Sequence, residues 1–123
     1  MDFNARINIA ELEKSPQDAI KLLTKMARLD KHKDQLDQIY GTIGDVYLAQ
    51  KDTVKALENY EQGIAKSTQN GSAKAKILIT AGDIYYEQRN YIKASPCYKE
   101  ATQILSAESE QYQRILQRSE TLD

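Results

Sequence analysis

Few side chains in this chain could do chemistry. Asp45 and Asp83 stand in matching contexts, each directly after a glycine and two places before a tyrosine. Two carboxylates can divide acid–base work when both reach the same proton. At equivalent points of neighbouring repeat units they would instead be held about 10 Å apart, roughly one helix-pair spacing. That separation suits a charged stripe. His32 is the only histidine, so no multi-histidine metal site can form within the chain. Flanked by Lys31 and Lys33, it reads as a solvated turn residue. Cys97 is the only cysteine, which excludes an internal disulfide and a cysteine-cluster metal site. It falls three places after Ala94 and four before Ala101, on the flank of an apolar face where a free thiol behaves as a small hydrophobe. The glycines are scattered at Gly41, Gly44, Gly63, Gly71 and Gly82, so no glycine-rich loop can cradle a phosphate. Eight tyrosines could stack nucleic-acid bases, but most sit at the helical spacing of a core. Catalysis, a cofactor and a metal are all unexpected.

The elements that carry these residues are helices. Apolar residues recur at helical spacing throughout, with no alternating stretch. Phe3, Ile7 and Ala10 mark a first helix. Ser15-Pro16 reads as a cap with proline in the first turn, opening a second helix on Ala19, Ile20, Leu23 and Ala27. A third runs from about Asp34 to Gln50 on Leu36, Ile39, Tyr40, Ile43, Val46 and Tyr47. Asp52 caps a fourth, on Val54, Ala56, Leu57, Tyr60 and Ile64. The run from Ser67 to Ser72 is the clearest break, and its Asn70-Gly71 pair favours positive φ. Ser72 is expected to cap a fifth helix, Asn90 a sixth and Ser106 a seventh, the last on Tyr112, Ile115, Ser119 and Leu122. Pro96 falls inside the sixth, where it removes one backbone bond. A kinked but continuous helix is expected there.

The charges balance, with 17 Lys and Arg against 18 Asp and Glu. No basic field recruits nucleic acid or an anionic membrane. No run approaches the length of a bilayer-spanning helix, and the first residues lack a secretory pattern. The lone thiol fits the cytoplasm without excluding an envelope compartment.

Two stretches repeat. Gly44-Asp45-Val46-Tyr47, Ala56 and Tyr60 return at one constant offset as Gly82-Asp83-Ile84-Tyr85, Ala94 and Tyr98, with Gln50/Gln88 and Lys55/Lys93 in the same register. This pattern resembles the tetratricopeptide repeat, a helix-turn-helix unit of about 34 residues. The resemblance implies an all-α fold of antiparallel hairpins stacked as a right-handed solenoid, about seven helices in all. The glycines would mark close helix crossings, and Tyr47, Tyr60, Tyr85 and Tyr98 would fill the wider spaces. Residues 1–33 read as a divergent repeat, 34–70 and 71–106 as full repeats, and 107–123 as the first helix of a truncated repeat or a cap. Ser119, one repeat after Gly82, would stand in the glycine's place. A truncated last repeat would leave apolar surface, with Leu116, open to self-association through the C-terminal helix.

The resemblance also implies a non-catalytic protein–protein interaction module whose groove is lined by the first helix of each hairpin. Carried over, the groove holds Asn4, Asn8 and Glu11, then Gln38, Thr42, Asp45, Leu48 and Ala49. It continues through Lys76, Ile79, Thr80, Asp83, Tyr86 and Glu87. The lysine, asparagine and arginine of the family's chaperone-tail clamp are replaced by Asn4, Thr42 and Thr80, so that ligand is rejected. Acids outnumber Lys76 along the groove, so the expected partner is a basic or neutral segment with an apolar anchor for Tyr86. The alternative is a structural spacer with no groove ligand of its own.

Overall fold

The computed structural model describes residues 15–68, 71–106 and 109–122, apart from the side chains of Asp30 and Leu122. The expected first helix, with the groove positions Asn4, Asn8 and Glu11, lies outside the described residues. The described chain is α1 (Pro16–Ala27), a 3-10 segment (Asp30–Gln35), α2 (Leu36–Ala49), α3 (Thr53–Ala65), α4 (Ser72–Glu87), α5 (Tyr91–Ile104) and α6 (Glu110–Leu122). No strand occurs among the described residues. The chain divides into two compact units, Met1–Thr68 and Gln69–Asp123.

In the first unit, Pro16 opens α1, with Ser15 extended at the cap position (φ −104°). The serine hydroxyl makes no backbone cap and instead donates to Gln17 Oε1 at 3.1 Å. Leu23 and Met26 of α1 pack with Ile39 and Ile43 of α2, with Ile20, Leu36, Tyr40 and Tyr47 around them. Leu23 and Ile39 are fully buried, and each such side chain contributes about 2 kcal/mol. The turn between these helices corrects one expectation. His32 is only 6 % exposed, although Lys31 and Lys33 beside it are exposed. The segment is a 3-10 helix, and its three residues per turn aim consecutive side chains about 120° apart. One residue in three faces inward, and here it is His32. Asp37 is buried too; its carboxylate accepts from Gln38 N at 2.8 Å and from Ser67 Oγ at 3.3 Å. The second contact ties the segment after α3 to the start of α2.

The hairpins α2–α3 and α4–α5 turn in the same way. Lys51 and Arg89, equivalent in the two repeats, have φ of 64° and 61°. Asp52 N donates to Tyr47 O at 3.0 Å and Lys51 N to Leu48 O at 2.9 Å. Asn90 N and Arg89 N repeat the pair to Tyr85 O and Tyr86 O at 2.8 and 3.0 Å. Each is a Schellman ending with a long side chain where glycine is favoured. Lys51→Gly and Arg89→Gly are each expected to stabilise the protein by about 1 kcal/mol in urea unfolding, because the left-handed strain outweighs the added chain entropy of glycine. A loss of stability in both would show that the strain is absent. Asp52 then caps α3 as expected, accepting from Lys55 N at 3.2 Å. Lys55 and Lys93 each lie 5.6 Å from the ring centres of Tyr47 and Tyr85, which gives their shared register a physical reason.

In each hairpin the glycine and the second-helix tyrosine form one contact. A Cβ on Gly44 would stand 2.5 Å from Tyr60 Cε1, and one on Gly82 would stand 2.9 Å from Tyr98 Cε1. Tyr60 and Tyr98, 1 % and 0 % exposed, therefore occupy the room the glycines leave. Tyr47 is only partly buried.

In the second unit, α4 starts at Ser72 without a serine cap. Gly71 holds the cap position in extended backbone (φ −110°, ψ −174°), so the glycine is not used for a left-handed turn. Helix α5 runs unbroken through Pro96, as the register of Ala94, Tyr98 and Ala101 requires; all three are fully buried. Proline leaves the carbonyl of the exposed Ile92 without its ladder donor. Pro96→Ala should raise stability by about 1–3 kcal/mol, read as a higher melting temperature. An unchanged value would mean that the helix has relaxed around the proline. Helix α6 begins only at Glu110, a full turn past Ser106, so the expected Ser106 cap is absent. It buries Ile115 and Ser119.

Ile115 and Ser119 follow Ile77 and Ala81, which are also buried, at the offset that separates Gly82 from Gly44. They stand equally 37 residues after Leu78 and Gly82, which are buried as well. The exposed large apolar side chains among the described residues are Leu29, Val54, Tyr91 and Ile92, none of them on α6. Gln111, Gln113, Gln117 and Glu120 are exposed on that helix, while Leu116 is partly buried. Of the apolar surface expected to drive self-association, Leu116 is thus covered only in part.

Candidate functional site

The chemistry-bearing residues resolve into polar locks. Tyr60 Oη donates to Asp45 Oδ1 at 2.7 Å, and Tyr98 Oη to Asp83 Oδ1 at 2.6 Å. The two carboxylates read as an exposed stripe thus hold the second helix of each hairpin to the first. Burial, reinforced by the adjoining carboxylate, pushes both hydroxyls well above the ordinary phenol range. At Tyr98 the guanidinium of Arg118 offsets part of the rise. A tyrosine whose protonated form is favoured in the folded state stabilises fully below its unfolded value near pH 10, and the contribution is lost as pH rises beyond it. Alkaline titration followed by phenolate absorbance should therefore show Tyr60 and Tyr98 ionising only together with unfolding. Smooth ionisation of all tyrosines in a folded protein would contradict the locks.

Asp83 has further partners. Arg114 of α6 approaches it with both terminal nitrogens, Nη1 to Oδ1 at 3.1 Å and Nη2 to Oδ2 at 3.2 Å. Gln111 Oε1 accepts from Arg114 Nε and Nη2 at 3.0 and 2.7 Å, which holds that guanidinium flat. Arg118 Nη1 donates to Asp83 Oδ1 and to Tyr98 Oη, both at 3.1 Å. Its guanidinium carbon lies 4.2 Å from the centre of the Tyr86 ring. Its hydrogen bond to the Tyr98 hydroxyl holds the guanidinium charged more firmly still. Tyr86 also meets Tyr91 and Tyr98 edge-on, at 5.6 and 6.4 Å between ring centres.

Between α4 and α6 lies a hollow of about 380 Å³. Of the positions expected to line a groove, Lys76, Ile79, Thr80 and Asp83 share it, together with Ser72, Ala75, Leu105, Gln111 and Arg114. Tyr86 is instead packed under Arg118, and Glu87 is exposed. On α2, Gln38 and Ala49 are exposed, and Thr42, Asp45 and Leu48 are partly buried. Thr42 and Thr80 each donate to the carbonyl four places earlier, at 2.8 Å. Asp83, one of the acids expected along the groove, is matched by two arginines of α6.

Repeated glycine–tyrosine packing, one turn geometry and one Tyr–Asp bond per hairpin are the marks of a helical-hairpin repeat. The tetratricopeptide repeat family matches residues 35–107, which span both hairpins. This chain belongs to that family. No curated protein matches it. The repeats of this tetratricopeptide repeat protein are of a kind that generally serves protein–protein interaction. Among its described residues, no helix is long and apolar enough to cross a membrane, and no group of His, Cys, Asp or Glu could hold a metal ion. The residues missed by sequence reading, Arg114 and Arg118, belong to α6. Their signal was their spacing, four residues apart and so on one face of a helix.

Proposed function

We propose that this tetratricopeptide repeat protein is a non-catalytic adaptor that grips a peptide segment or a subunit of a larger assembly on the first helices of its hairpins. The residues involved are those expected from the sequence: Gln38, Thr42, Asp45, Leu48 and Ala49 on α2, and Lys76, Ile79, Thr80, Asp83 and Glu87 on α4. The observation that carries this reading is the hollow beside α4, in which charged and aliphatic side chains share one wall. On α2, Asp45 keeps the preference for a basic or neutral segment. Tyr86, already covered by Arg118, is not available as the apolar anchor.

That covering, together with the occupied Asp83, favours a second reading in which the repeats act as a spacer and these side chains serve packing alone. A photo-crosslinking amino acid placed at Ile79, compared with one at the exposed Glu58 of α3, separates the two in extracts of the source organism. The adaptor reading expects a discrete crosslinked partner from position 79 and none from 58. Silence or equal smearing from both positions favours the spacer.

A further inference from the structure

We infer that the outward face of α1 and the 3-10 segment after it form a separate docking surface, for a short acidic segment of a partner protein. It involves none of the residues of the adaptor reading. The stretch 15–35 carries Lys21, Lys25, Arg28, Lys31 and Lys33 against Asp18, Asp30 and Asp34. All five basic residues are exposed, and they lie within the first compact unit. Ala19, Leu23 and Met26 form the buried face of α1, while steps of four and three residues set Lys21, Lys25 and Arg28 in one outer row. Arg28 keeps helical backbone at the cap (φ −85°, ψ −7°), so the row continues to the end of the helix. The helix's carbonyl end accounts for Lys25 and Arg28, but not for Lys21 in mid-helix or for Lys31 and Lys33 beyond it. Among the described residues, none of the five side chains is committed to an ion pair.

Spacing and charge select the occupant. Neighbours in the row stand about 5–6 Å apart along the helix axis, close to the roughly 7 Å between alternate side chains of an extended segment. Carboxylates at alternate positions can therefore meet successive basic side chains through charge-assisted bonds. Leu29 is 43 % exposed beside Arg28, which suits one aliphatic residue in the same segment. An extended anionic surface fits less well. The whole chain has a net charge of −1, so a bilayer or a nucleic-acid duplex would meet acids as well as bases. Charges more than about 8 Å away are largely screened at physiological salt, and a short segment meets the row alone.

The test uses the full chain and three fluorescein-labelled nonapeptides, a leucine followed by four repeats of Gly-Glu, Gly-Gln or Gly-Lys, titrated by anisotropy. At low salt the glutamate peptide should bind about tenfold more tightly than the glutamine peptide, with the lysine peptide weakest. Added salt should shrink that advantage. Lys21→Gln should weaken the glutamate peptide about threefold. The position is exposed and glutamine is nearly as good a helix former as lysine, so the fold is kept. Arg89→Gln removes the same charge from an exposed position of the second unit and should leave binding nearly unchanged. Equal binding of the three peptides, equal losses in the two variants, or no binding at all overturns the inference. So does a protein that ignores the peptides but is retained on phosphatidylserine vesicles or on a DNA duplex, because the row would then serve an extended polyanion. The adaptor reading stands or falls separately, by the crosslink at position 79.

Discussion

Gly44→Ala should destabilise the protein by about 2 kcal/mol in urea unfolding, even though alanine is the better helix former. In an open helix the change would gain about 1 kcal/mol. Here the new methyl would stand 2.5 Å from Cε1 and 2.7 Å from Cδ1 of Tyr60, well inside carbon–carbon contact. The ring cannot swing away, because it is buried and its hydroxyl is tied to Asp45 at 2.7 Å. Forcing extra volume into such a core costs about 1–3 kcal/mol and occasionally more, so the helices must part and the net effect is a loss. Gly82→Ala should cost less, since its closest approach is 2.9 Å. Gly71→Ala is the contrast: nothing lies within 4 Å of its Cβ, and the change should stay within about 0.5 kcal/mol. A double-mutant cycle with Tyr60→Leu identifies the cause. If alanine at 44 costs the same whether residue 60 is tyrosine or leucine, the ring contact is not what demands the glycine.

That contact shows what the repeat made legible. One offset aligned Gly44 with Gly82, Ala56 with Ala94 and Tyr60 with Tyr98, and all six are buried. Hydrophobic spacing reports which residues face a neighbouring helix, so the all-α architecture followed from it. Spacing carries no information on polar pairs formed across elements. Tyr60 and Asp45 are 15 residues apart in sequence, and Arg114 and Asp83 are 31 apart. Asp83 therefore looked like an exposed groove charge when it is the centre of a lock. His32 was misjudged because lysine neighbours imply solvent only if the backbone keeps all three side chains on one side, and a 3-10 turn separates them. Most of the candidate face on α4 does line the hollow. The other wall comes from Gln111 and Arg114 of α6, and the arginine's pairing with Asp83 could not be revealed by sequence spacing.

Asp83→Asn should loosen α6 selectively. Asparagine keeps an oxygen that can accept from Tyr98 Oη, so the α4–α5 lock survives in part. What it removes is the charge that both arginines share. Hydrogen bonds to charged groups contribute about 1.5–3 kcal/mol each when well shielded. These side chains are 33–38 % exposed, so solvent screening reduces their sum to about 2 kcal/mol. The released guanidiniums lie 31 and 35 residues along the chain from Asp83, and both belong to one helix. The loss should therefore appear as faster amide exchange around Ile115 and Ser119, while Leu78 and Ala81 keep most of their protection. Tyr98→Phe provides the opposite separation: it deletes the hydroxyl and leaves the carboxylate to the arginines, so exchange in α6 should change little while α5 loosens. Salt should weaken the wild type toward the Asp83→Asn variant and leave the variant nearly unmoved. Uniform loss of protection across α4, α5 and α6 in Asp83→Asn would mean that the carboxylate supports the unit as a whole, and the selective lock on α6 would have to be abandoned.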